Sequence, residues 1–195
     1  MGTGLAAAAG LNAWMPLFVL GLVDRFAPAF DLPAGWAWLS SDVALWITGI
    51  LLVVEIVADK VPAVDTVNDV LQTAVRPAAG GIVFGAGSSA ESLTLDDPAS
   101  LLADNAWVPI VIGIVIALGV HLLKSLVRPV ANAATAGLAA PLVSTAEDVS
   151  ALGLALAAIF VPVIAAVLLA GLVVTAVVLL RRRARRRAAP APPAG

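Results

Sequence analysis

Residues 150–180 run for 31 residues without a charged side chain. At 1.5 Å per residue a helix of that length reaches about 46 Å, and a hydrocarbon core is about 30 Å thick. Such a run must tilt, kink at Pro162 or project past the bilayer. Three other stretches match a span of about 20 apolar residues: 4–23 (GLAAAAGLNAWMPLFVLGLV), 43–58 (VALWITGILLVVEIVA) and 106–123 (AWVPIVIGIVIALGVHLL). Residues 77–90 and 129–145 are shorter or weaker, and read as short spans inside a bundle or as re-entrant hairpins.

Composition points the same way. The chain is 61% hydrophobic with a mean hydropathy of +1.03, beyond what a water-soluble core explains. It has no cysteine and one histidine, which excludes disulfides, thiolate metal sites and cysteine nucleophiles. The N-terminal segment has no basic stretch ahead of its apolar residues, so it reads as the start of a retained helix and not as a cleaved signal. Residues 1–180 are expected to form a single transmembrane domain. Residues 181–195 are expected to be a disordered, basic, Pro/Ala-rich tail.

Charge then orients the spans. RRRARRR, residues 181–187, places the C-terminus in the cytoplasm, because basic residues collect on that side. Counting back through six spans puts Glu147–Asp148 outside, Lys124 and Arg128 inside, Asp96, Asp97 and Asp104 outside, and Lys60 and Arg76 inside. Both termini are then cytoplasmic, in a bacterial plasma membrane. Trp36, Trp38, Trp46 and Trp107 fall at the outer interface as an aromatic belt. The arginines of residues 181–187 are expected to bind anionic lipids, not nucleic acid.

The densest mixed-charge segment is VEIVADKVPAVDTVNDVLQTAVRPAAGG, residues 54–81. Val61, Val64, Val67, Val70 and Leu71 recur at helical spacing, with Asp65, Asn68, Asp69 and Gln72 on the other side. This predicts an amphipathic helix at the cytoplasmic interface. Glu55 and Asp59 share one helix face at the end of the second span. Lys60 and Arg76 are their nearest partners, then Lys124 and Arg128. The cluster is either a salt-bridge network pinning the helix or a polar site for an ion, proton or headgroup. No metal-ligand spacing is present. Asn12 can line a cavity or hydrogen-bond between helices, and His121 reads as structural.

QTAVRPAAGGIVFG (72–85) aligns without gaps with KSLVRPVANAATAG (124–137). The match suggests a parallel repeat of helix pairs, as in many transporters. Pro77 and Pro129 would begin helices. Their N-termini, with Arg76 and Arg128, would then form a place for an anion. Gly80, Gly81, Gly85 and Gly137 supply small-residue faces for close packing or for a homo-oligomer.

GLNAWMPL (10–17), the W-L-S of residues 38–40, the E-x-x-x-D-K-x-P-x-x-D-x-x-x-D string from Glu55 to Asp69, and R-P-x-x-G from Arg76 to Gly80 resemble the bacterial membrane family catalogued as domain of unknown function 4126. The resemblance covers about residues 4–180. It implies an integral membrane protein and supplies no activity. It nominates Glu55, Asp59, Lys60, Pro62, Asp65, Asp69, Arg76, Pro77 and Gly80 as the family's signature.

The expectation is an all-α polytopic bundle without cofactor or catalytic residues. It would pass a small solute, ion or lipid headgroup through a polar cytoplasmic-side site. A non-catalytic scaffold binding lipid or partners is the alternative.

Overall fold

The computed structural model describes residues 1–28, 30–91, 107–136 and 138–188, and among them every regular element is helical. The helices are α1 (Gly2–Leu11), α2 (Trp14–Phe26), α3 (Asp42–Ala58), α4 (Pro62–Glu91), α5 (Trp107–Ala134), α6 (Ala140–Phe160) and α7 (Pro162–Ala188), with a 3-10 turn at Ala37–Ser40. Two stretches, Trp107–Ala131 and Ala140–Phe160, are long and apolar enough to cross a membrane.

α4 and α5 form the central antiparallel pair. A Cβ added at Gly80 would lie 2.3 Å from the Ala117 Cβ, and one at Gly113 would lie 2.3 Å from the Gly80 carbonyl. Gly81 fits against Ile110, and Gly85 against Trp36. At Gly80, Gly81 and Gly85 the small face of α4 is filled by this chain's own atoms.

Residues 4–23 do not make one continuous helix. Gly2 packs on Phe84 and Gly87, and Gly10 packs on Ala117 and Val120, so α1 descends beside α4 and α5. The helix stops at Asn12, whose backbone is extended (φ −146°, ψ 119°). α2 then returns to the starting end, where Gly21 meets Leu39 and Arg25 pairs with Asp42 at the start of α3. Together they make a helical hairpin with its tip at Asn12–Ala13. α1 is short, about 15 Å for ten residues, and its alanines are fully buried.

Two further expectations are corrected. Residues 62–91 are one helix of 30 residues, so Pro77 lies inside α4; Pro129 likewise lies inside α5. Neither Arg-Pro pair starts a helix, and the two copies of the aligned motif run antiparallel. The first half of α4 is also not an interfacial helix with its polar side in water. Val61, Val64, Val67, Val70 and Leu71 are exposed, while Asp65, Gln72 and Arg76 are buried.

The long apolar run breaks at Val161 (φ −145°, ψ 78°), because Pro162 lacks an N–H and disfavours helix in the preceding residue. The chain turns there, and α7 runs back to place Leu179, Arg182 and Arg183 beside Leu126, Val127 and Val130. α7 continues to Ala188, so the basic run extends the helix where a separate tail was expected. Met1 and Arg183 consequently lie at opposite ends of the bundle. Asp96, Asp97, Asp104, Gly137 and residues 189–195 lie outside the described residues.

The bundle has two distinct ends. The starts of α3 and α5 carry exposed Trp46 and Trp107, near exposed Trp38. The other end gathers the charges. Outward faces are apolar along their length, for example Ile47, Ile50, Val54 and Val57 on α3 and Val111, Val115, Leu122 and Leu126 on α5.

Candidate functional site

Four helix faces and the hairpin tip converge at the charged end. α3 contributes Glu55 and, just past its last turn, Asp59. α4 contributes Asp65, Asp69, Gln72 and Arg76, spaced so that all stand on one face. α5 contributes His121, Lys124 and Arg128 at the same kind of spacing. α6 contributes Ser144, Glu147 and Asp148.

Arg76 is 0% exposed. Its Nη2 donates to Glu55 Oε1 at 2.9 Å and lies 3.6 Å from Asp59 Oδ2. Its Nη1 donates to His121 Nδ1 at 2.9 Å and lies 3.6 Å from Asp69 Oδ1. Guanidinium has only donors, so His121 Nδ1 must accept. The imidazole is then neutral, with its proton on Nε2, 3.0 Å from Thr73 Oγ1.

Asp59 is the meeting point of the cations. Lys124 Nζ donates to its Oδ2 at 3.0 Å, and Asn68 Nδ2 donates to its Oδ1 at 2.9 Å. Arg128 Nη2 lies 3.6 Å from the same Oδ2. Burial pushes the Asp59 carboxyl up, but Lys124 and Arg128 outweigh it and hold the group below its usual range. Arg128 also pairs with Asp65 and, at 2.8 Å, with Glu147 Oε2, which lies 3.3 Å from Lys124 Nζ. At the rim, Lys60 Nζ reaches Asp148 Oδ2 at 3.1 Å.

The hairpin tip is woven into this network. Asn12 Oδ1 accepts from the backbone N–H of Trp14 at 3.2 Å and of Met15 at 3.0 Å, capping α2. Its Nδ2 donates to Asp148 Oδ1 at 3.2 Å. The Ala13 N–H donates to Glu55 Oε2 at 3.1 Å, so a carboxylate faces the positive end of α2. The Leu11 carbonyl accepts from Lys124 Nζ at 3.0 Å, so an ammonium faces the negative end of α1. Each half-helix end meets the charge that complements it.

Residues 1–182 match the family described as Domain of unknown function (DUF4126). The chain belongs to that family. No curated protein and no solved structure matches it.

In this DUF4126 chain the signature acids Glu55, Asp59, Asp65 and Asp69 converge with Arg76, Lys124, Arg128 and Asn12. Lys60 sits at the rim. The prolines Pro77 and Pro129 and the glycines Gly80, Gly81 and Gly85 shape and pack the helices and do not touch the site. Glu147 and Asp148, expected on the opposite side, belong to it. The expectation failed because 129–145 was read as a crossing. In fact α5 continues to Ala134 and a short turn leads straight into α6. His121 is more central than the sequence suggested; its spacing to Lys124 and Arg128 was the available signal.

Six carboxylates (Glu55, Asp59, Asp65, Asp69, Glu147 and Asp148) stand against four cations (Lys60, Arg76, Lys124 and Arg128), an excess of two negative charges when all are ionised. Among the described residues no group of three or more acidic or histidine side chains is disposed to hold a metal ion. Several buried polar atoms have no hydrogen-bond partner: Gln72 Oε1, Ser125 Oγ, Ser144 Oγ and Arg76 Nε.

Proposed function

We propose that this DUF4126 chain is a multi-spanning membrane protein that passes a small ion through the charged end of its bundle. The observation that carries the reading is the re-entrant hairpin. Its backbone breaks beside buried, oppositely charged side chains, inside a shell of exposed apolar ones. In a bilayer an interrupted helix is stable only where protein or a polar cavity satisfies its free backbone groups. Transporters place their sites at such half-helix ends. Ionisable side chains within a membrane are costly unless paired or facing water, and they are a default pointer to an ion path.

In this arrangement α3, α4, α5, α6 and α7 cross the membrane, with the hairpin entering from the tryptophan end. The basic run 181–187 and Lys60 support a cytoplasmic charged end in a bacterial plasma membrane, with anionic headgroups as partners of the run. This is five crossings and a hairpin in place of six crossings. The reading is of permeation and not of catalysis.

The test is ion flux into vesicles containing the purified protein. Glu55→Gln removes the charge facing α2 and keeps the shape. Flux is expected to fall at least tenfold while the protein stays folded. Unchanged flux in a folded Glu55→Gln protein would sink the reading and favour a dry, structural network holding a scaffold together.

A further inference from the structure

The identity of the ion follows from which groups are already satisfied. Every arginine and lysine of the cluster has at least one carboxylate within 4 Å, so no cation is left over to bind an anion. The excess is negative, which calls for positive charge. No grouping of ligands suits a metal ion among the described residues. A proton needs no cavity and no ligand shell.

Its place is marked by two neighbouring acceptors. Asp69 and Gln72 are three residues apart on α4, hence adjacent on the helix surface. Gln72 is 4% exposed, and neither Gln72 Oε1 nor Asp69 Oδ1 has a hydrogen-bond donor. Both oxygens are unsatisfied and their residues are one helical turn apart; a protonated Asp69 carboxyl supplies a donor to Gln72 Oε1. Glu55, by contrast, is satisfied as a carboxylate by Ala13 N–H and Arg76. Asp69 also has the access Glu55 lacks, its side chain being 17% exposed against 1%.

We propose that Asp69 holds a proton that it donates to Gln72, and that the ion exchanged at the charged end is a proton. This rests on the permeation reading above. Facing Asp69 are Arg76 on its own helix, Asp59 at the end of α3 and Lys124 on α5. Glu147 of α6 is engaged by Lys124 and Arg128. In the exchange the O–H bond of Asp69 breaks, the proton passes to water at the charged end, and the carboxylate left behind pairs with Arg76.

Infrared spectroscopy of the protein in lipid vesicles reads the proton directly. A protonated-carboxyl band is expected that titrates above the ordinary aspartate value of about 4 and is missing in Asp69→Asn. Gln72→Leu keeps the acid, removes its acceptor, and is expected to shift the band and lower its midpoint. A band that survives Asp69→Asn, or that ignores Gln72→Leu, overturns the assignment. Vesicles loaded with a pH-sensitive dye then report exchange: proton flux is expected to drop at least tenfold in Asp69→Asn. Sodium or chloride flux that Asp69→Asn leaves intact overturns the proton while keeping permeation. A band at Asp69 in a protein that moves no ion removes both the permeation reading and the exchange step.

Discussion

Asp59 accepts more cationic attention than any other side chain in the cluster, and the balance around it sets its chemistry. Removing its charge leaves Lys124 and Arg128 short of a partner in a buried setting. Asp59→Asn is expected to cost about 3–5 kcal/mol, the usual penalty for breaking a buried ion pair from one side, measurable by chemical unfolding in detergent. The sign with pH follows from the lowered carboxyl. Folding favours the ionised form, so this contribution is present above the unfolded-state value and lost as pH falls through the folded one. The wild type should therefore show an acid limb of stability that Asp59→Asn flattens. The participants were legible as residue types: Glu55, Asp59, Asp65, Asp69 and Arg76 stand out as charges in an apolar chain. What spacing could not supply was their pairing. Glu147 and Lys60 find partners 23 and 88 positions away, and that depends on where helices turn.

At the scale of elements, the pattern in the first half of α4 was visible and its direction was inverted. Helical alternation of valine with Asp65, Asp69 and Gln72 says that two faces differ. It says which faces the solvent only if the solvent is known. With lipid outside, the apolar face is the outer one and the polar face belongs to the protein interior. The prolines misled for a related reason. Pro77 and Pro129 resemble helix starts, yet helices continue through them, because tightly packed neighbours hold the chain in place. The α4–α5 contact is where that packing is closest. Gly80→Val would drive a side chain into Ala117 and the Gly113 carbonyl. Overpacking of this kind is expected to destabilise by about 1–3 kcal/mol, seen as a lower melting temperature in detergent. Gly119 has open space at its Cβ position, and Gly119→Ala is the control that should leave melting nearly unchanged.

For the whole molecule, the hairpin changes the parity of the chain. In the proposed arrangement, five crossings plus a hairpin put the two termini on opposite sides of a membrane. Tags placed at each terminus should differ in protease accessibility in sealed vesicles of one orientation. Equal accessibility would return the chain to six full crossings. The helical class, the apolar exterior and the tryptophan-rich end could be read from sequence. The reversal at Asn12 could not, since residues 4–23 have the length and hydropathy of a full span and only the extended backbone at one asparagine separates the two outcomes. The same reversal has a consequence for assembly. α1 is too short to cross and too apolar to rest in water, and the groups that receive its tip, Glu55 and Lys124, are synthesised after it. The tip of α1 therefore gains its partners only after α3 and α5 have been made.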